Sequence, residues 1–207
     1  MSVMSGPNST GLVARVQNMI MKPAAEWDVI APEPASIGGL YTGYACILAA
    51  IPPIATILAS LLFLHIAILG ALIIAVLSYV LALVGVFVVA FIIDILAPNF
   101  GAERSQIQAL KLVVYAQTAG WVAGIANIIP GVGGLIALVG GLYSLYVLYL
   151  GLPKLMKSPA DKTTGYFVVS ILVAIVVNVL IGVVVGIIFA ATAMTAVVAG
   201  GAMTGAH

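Results

Sequence analysis

Residues 71–96 read ALIIAVLSYVLALVGVFVVAFIIDIL, and no charged side chain interrupts them before Asp94. A helix needs about 20 apolar residues to cross the hydrocarbon core of a bilayer, so this stretch predicts a membrane span closing near Asp94. The composition around it agrees. Of 207 residues, 64% are hydrophobic and 6% charged, against about a quarter charged in soluble domains, so a water-facing surface cannot be assembled from this chain. The seven Lys and Arg and six Asp and Glu leave uncharged runs at 34–93, 112–153 and 163–207. Each is too long for one helix in lipid without a turn or a tail.

Working outward, residues 37–64 (IGGLYTGYACILAAIPPIATILASLLFL) form a preceding span. HIAILG at 65–70 makes a weak turn, with His65 expected as a satisfied residue in the far headgroup region. Downstream, APNFGAERSQIQ at 97–108 combines Pro98, Asn99, Gly101 and the Glu103/Arg104 pair, a polar loop by its turn chemistry. A third span at 109–129 runs into Pro130, Gly131, Gly133 and Gly134, and a fourth at 135–152 ends at Pro153. After the loop PKLMKSPADKTT, a fifth span reaches about Ala191. The expected fold is therefore an all-α, polytopic five-span helix bundle: residues 1–35 an N-terminal segment, 36–191 the membrane domain, and 192–207 a flexible tail too short and Gly-rich to cross again.

Orientation follows from the basic residues beside the spans. Arg15 and Lys22 precede the first span, Arg104 and Lys111 flank the second loop, and Lys154, Lys157 and Lys162 flank the fourth. All seven fall on one side, which predicts a cytoplasmic N-terminus and a C-terminus on the opposite side. A rival segmentation makes Pro52 and Pro53 a loop between two spans, which would set the N-terminal positives opposite the others. The charge pattern favours a kink inside one span, where the carbonyls of Leu48 and Ala49 lose their helical partners and need a neighbour or water in lipid. A ligand site at Pro52 and Pro53 is the alternative meaning. Ahead of the spans, Leu12, Val16, Met19 and Ile20 share one face of an amphipathic helix. That face either lies on the membrane surface, with Trp27 at headgroup depth, or docks onto the bundle.

Small residues four apart let helix backbones approach closely in lipid. Such stripes occur at Ala116, Gly120 and Gly124 in span three, at Gly133, Ala137 and Gly141 in span four, and at Gly182, Gly186 and Ala190 in span five. Packing within the chain is the first expectation; a homo-oligomer through one stripe is the second. Asn178, one turn before Gly182, is expected to hydrogen-bond across helices. Tyr143, Tyr146 and Tyr149 read as packing and interface anchors. Asp94 and Lys111 lie about one turn inside the basic ends of spans two and three, which suggests a structural clasp. Arg104 is the alternative partner for Asp94, and proton or ion handling is the functional alternative.

No reactive constellation is visible. The sequence has no HExxH, CxxC, GxxxxGK[ST] or Ser/His/Asp arrangement, and Cys46 is its only cysteine, which reads as a small buried hydrophobe. Neither a catalytic residue, a metal site nor a cofactor is expected. A net charge of +1 offers no basic surface for nucleic acid. The opening residues MSVMSGPNSTGLVARVQ lack the basic and apolar regions of a secretory signal, so insertion would use the first span.

The segments LVARVQNMIMKPAAEWDVI at 12–30, DILAPNFGAERSQIQALKLVVYAQTAGWVAGIANIIPGVGGL at 94–135 and GLYSLYVLYLGLPKLMKSPADKTTGY at 141–166, followed by a last apolar span, resemble the bacterial branch of the Yip family. These are five-span membrane proteins named for the Ypt/Rab-interacting proteins of the secretory pathway. The resemblance covers about residues 12–190 and implies the fold, the span number and a place in the bacterial inner membrane. For eukaryotic members it implies vesicle traffic and Rab association. This sequence lacks their acidic DLYGP-type motif and long hydrophilic segment, so Rab binding is not carried over. Two function classes follow: a non-catalytic membrane-organising scaffold, with the lipid bilayer as its partner, or a small channel or transporter lined by Pro52, Pro53, Asp94, Lys111 and Asn178.

Overall fold

The structure, a computed structural model, describes the backbone of residues 11–64 and 68–204 and the side chains of 11–63 and 69–191. His65 lies outside the described residues. Five helical stretches are long and apolar enough to cross a membrane: span one Ile37–Phe63, span two Leu69–Phe100, span three Gln106–Ile128, span four Gly133–Leu155 and span five Ala160–Ala191. Two shorter helices, α1 (Leu12–Met21) and α2 (Pro23–Ile30), precede them. Pro23 opens α2 at a position where the missing amide proton costs nothing. Gly101, at φ +66°, closes the turn after span two, a left-handed conformation that glycine adopts without steric penalty. The backbone of residues 192–204, in the segment assigned to the tail, continues as helix to Thr204.

Span three is central. It packs on spans one, two and four and on α1, whereas span five packs on spans two and four at the edge. Span one breaks at Ala50 and restarts at Ile51, so Pro52 and Pro53 sit in the first turn of the second half. The two halves remain one crossing, as the kink reading expects. The break carries a contact: a Cβ added to Gly124 would lie 2.5 Å from Pro52 Cγ, so the proline ring rests directly on the glycine backbone.

Helices α1 and α2 dock onto the bundle. Met19 is buried, and Trp27 is fully buried, with its indole Nε1 donating to the Val147 carbonyl at 3.0 Å. Trp27 therefore does not sit at headgroup depth. Its ring lies against Gly151, where a Cβ would come within 2.7 Å of Cε2, and a tryptophan inserted so deeply needs both this hollow and a partner for its N–H. Tyr143 in span four completes the dock by donating to the Ile20 carbonyl at 2.6 Å.

The small-residue stripes divide. Gly120 faces Ser144, with a prospective Cβ 3.3 Å from Oγ, and Gly124 meets Pro52. Gly182 and Gly186 meet nothing within 4 Å, so within this chain they are not at a helix contact. In span four Gly141 is open, and Gly140 is the close approach, 2.4 Å from Ala123 Cβ.

Candidate functional site

Helix α1 presents Arg15 inward between α2 and span three. Its Nη1 donates to Glu26 Oε1 at 2.7 Å and its Nη2 to Glu33 Oε1 and Oε2 at 2.5 and 2.7 Å. Both Arg15 and Glu26 have side chains only 6% exposed, so the charges are out of water and depend on one another. Beneath them, the Tyr115 ring lies 5.7 Å from the guanidinium carbon, close enough for a cation–π contribution. Burial alone would lower the pKa of Arg15. The hydrogen bond and charge of Glu33, with smaller help from Glu26, outweigh it and hold the pKa above its usual value.

Lys111 enters the same region from span three. Its ammonium donates to the carbonyls of Ile30, at 3.0 Å, and Glu33, and it lies 3.5 Å from the Ala31 carbonyl. These are the carbonyls that the end of α2 leaves without helical partners, and a cation is stabilised at that pole of the helix. Gln108 adds a bond from Nε2 to the Ala31 carbonyl at 3.0 Å. Deeper, the Tyr44 and Thr118 hydroxyls are 2.7 Å apart, Thr118 donates to the Tyr115 carbonyl at 2.6 Å, and Tyr44 meets the Tyr115 ring edge-on. The result is one buried polar unit joining α1, α2, span one and span three.

Asp94 is elsewhere. Its Oδ2 accepts from Arg104 Nη2 at 3.1 Å, and its Oδ1 is buried without a partner among the described residues. The clasp expected between Asp94 and Lys111 is therefore not formed, because Lys111 is turned to the end of α2. Arg104, the alternative partner, takes its place. The same end carries Lys154 paired with Asp28 at 2.5 Å and Lys157 with Glu103 at 2.8 Å. These contacts bring the N-terminal segment and the two basic loops to one end of the bundle, which removes the segmentation that would have split them. Asn178 makes no cross-helix bond: its amide donates to the Ala174 carbonyl of its own helix at 2.7 Å, the acceptor one turn back that is always in reach.

The Yip1 domain matches residues 18–181. The chain belongs to the Yip1 domain family. No curated protein and no solved structure matches it. The Yip1 domain region takes in Glu26, Glu33, Asp94, Arg104 and Lys111, and it ends before Gly182 and Gly186.

Sequence reasoning missed Arg15, Glu26 and Glu33 as a site in this Yip1 domain chain. The available signal was an arginine on an amphipathic face followed by two carboxylates across a Pro-containing break. Tyr166 was missed too: it is fully buried and donates to the Ile93 carbonyl at 2.5 Å, fastening span five to span two one residue from Asp94. Among the described residues no group of three or more His, Cys, Asp or Glu side chains is placed to hold a metal ion.

Proposed function

We propose that this protein is a non-catalytic organiser of the bacterial inner membrane, a rigid scaffold with a cytoplasmic N-terminus and a C-terminus on the far side. In this reading residues 1–35 are the cytoplasmic segment, 36–191 the membrane domain and 192–207 a flexible tail. The lipid bilayer is the primary partner and self-association is the way it acts on the membrane. One observation carries the reading: the charges of the Arg15, Glu26, Glu33 and Lys111 cluster are satisfied by one another and by the end of α2. Transport paths for ions place ionisable groups at membrane depth where they meet the ion. Here these groups fasten two helices over one end of the bundle instead.

Reconstitution into vesicles tests it. The scaffold reading expects release of trapped potassium or glycerol no faster than from protein-free vesicles, together with protein-dependent clustering or a change in vesicle diameter. Saturable flux with unchanged vesicle shape moves the assignment to the channel or transporter. For the orientation, Lys157→Cys and Gly200→Cys in a Cys46→Ser background should be labelled by an impermeant maleimide from opposite sides. Labelling of both from one side overturns it.

A further inference from the structure

A cavity of about 620 Å³ lies between spans two, three, four and five, a size typical of sites for small organic ligands. It is hollow because small side chains face one another: Ala82 and Gly85 from span two, Ala116 from span three, Ala137 and Gly141 from span four, and Ala174 from span five line it. Its floor includes buried Val86 and Leu148, and its rim includes Leu138, Leu142 and Ile175, each more than 50% exposed. The mouth thus opens sideways between spans four and five, onto the zone where lipid tails are the solvent.

Three polar groups interrupt this apolar lining. Gln117, from the middle of span three, makes no side-chain hydrogen bond among the described residues, although it is half-buried. Asn178, from the middle of span five, uses its amide N–H on Ala174 and leaves its oxygen free. Ser144 accepts the Gly120 amide at 3.0 Å and keeps its own proton to donate. An unpaired amide at this depth is unfavourable in hydrocarbon, so a molecule that pairs with it gains by filling the site. No Asp, Glu, Lys or Arg lines the cavity, and an ionised group there would be buried without a counter-charge.

We propose that this cavity binds an uncharged amphipathic lipid that enters from the bilayer, its apolar body filling the hollow and a single hydroxyl or carbonyl hydrogen-bonded to Gln117, Ser144 and Asn178. The proposal is independent of the scaffold reading and does not require flux. Gln117 discriminates a lipid bearing such a group from a plain hydrocarbon tail. The absence of charge discriminates it from a carboxylate.

The experiment uses the full-length protein in vesicles and three diazirine probes of equal chain length: a long-chain alcohol, the corresponding hydrocarbon and the corresponding carboxylate. Labelled peptides are mapped after photolysis. The alcohol should label the floor segments 113–121 and 137–148 of the wild type. Gly141→Leu, whose new side chain has open space to enter, should lose about tenfold of that labelling, a difference of about 1.4 kcal/mol, and Ala137→Leu repeats the test from the neighbouring turn. Gln117→Leu should bring alcohol and hydrocarbon to equal labelling. Equal labelling of the wild type and both filled variants overturns the site. Alcohol labelling no stronger than hydrocarbon in the wild type overturns the polar contact, and carboxylate labelling as strong as alcohol overturns the uncharged ligand.

Discussion

Span three and span five differ more than any other pair of elements in this protein. In the most apolar stretch of span three, 56% is buried inside the protein at a mean hydropathy of 1.3, while in span five 6% is buried at 3.2. The other spans fall between: four at 33% and 2.0, one at 28% and 2.3, two at 22% and 3.0. Burial decreases without exception as hydropathy rises. A water-soluble fold would order them the other way, because burial there removes apolar surface from water. In a bilayer the tails outside are as apolar as leucine, so a helix that keeps its neighbours needs small residues and polar contacts. The most apolar helix is the one that can be left to the lipid.

That contrast can be broken by mutation. The largest effect is expected at Arg15, whose removal strands Glu26 in a buried position. Arg15→Ala should destabilise the detergent-solubilised protein by about 3–5 kcal/mol, read from its unfolding midpoint, and the Arg15→Ala/Glu26→Ala double variant should lose clearly less than the sum of the single losses. A loss no greater than that of an exposed surface change would mean that the cluster does not hold α1 in place. Next comes Gly151→Ala, which drives a methyl group into Trp27 and Leu112. Its expected cost is about 1–3 kcal/mol, with a change in Trp27 fluorescence as the local report.

A smaller effect is expected at Arg104, whose side chain is 58% exposed. Arg104→Ala should cost about 1 kcal/mol, while Asp94→Ala and Lys111→Ala combined in a double-mutant cycle should be additive within about 0.5 kcal/mol. Strong coupling between those two would restore the clasp that the geometry denies. The smallest effect belongs to span five. Gly186→Leu, with nothing within 4 Å of the new Cβ, should change monomer stability by less than about 0.5 kcal/mol. A large loss accompanied by a shift in assembly state would instead reveal that this face meets another copy.

The span limits were legible because lipid imposes a length and a hydropathy that a one-dimensional reading can detect. The kink at Pro52 was legible because the ring removes a helical donor wherever it sits. The packing register was less so. A four-residue stripe put Gly133, Ala137 and Gly141 on the contact face of span four, whereas Gly140, Ser144, Val147 and Gly151 are buried there. That alternation of four and three residues is the repeat of a left-handed bundle, and a strict spacing of four belongs to right-handed crossings. Asp94 and Lys111 were misjudged as a pair because similar depth does not fix which side of its helix a residue faces.

By itself the sequence determined the class of fold, the crossings and the collection of all seven basic residues at one end, since each depends on solvation by lipid or on order along the chain. It also carried the rank of burial in its hydropathies. Only the tertiary structure decided what the charged residues do: Arg15 meets Glu33 across 18 positions, Lys111 meets Ile30 across 81 and Trp27 meets Val147 across 120. Helix docking brings these groups together, and their pairing depends on the rotation of each helix about its own axis. Side-chain fit sets that rotation, which is why the cluster and the cavity emerged only when the helices were seen together.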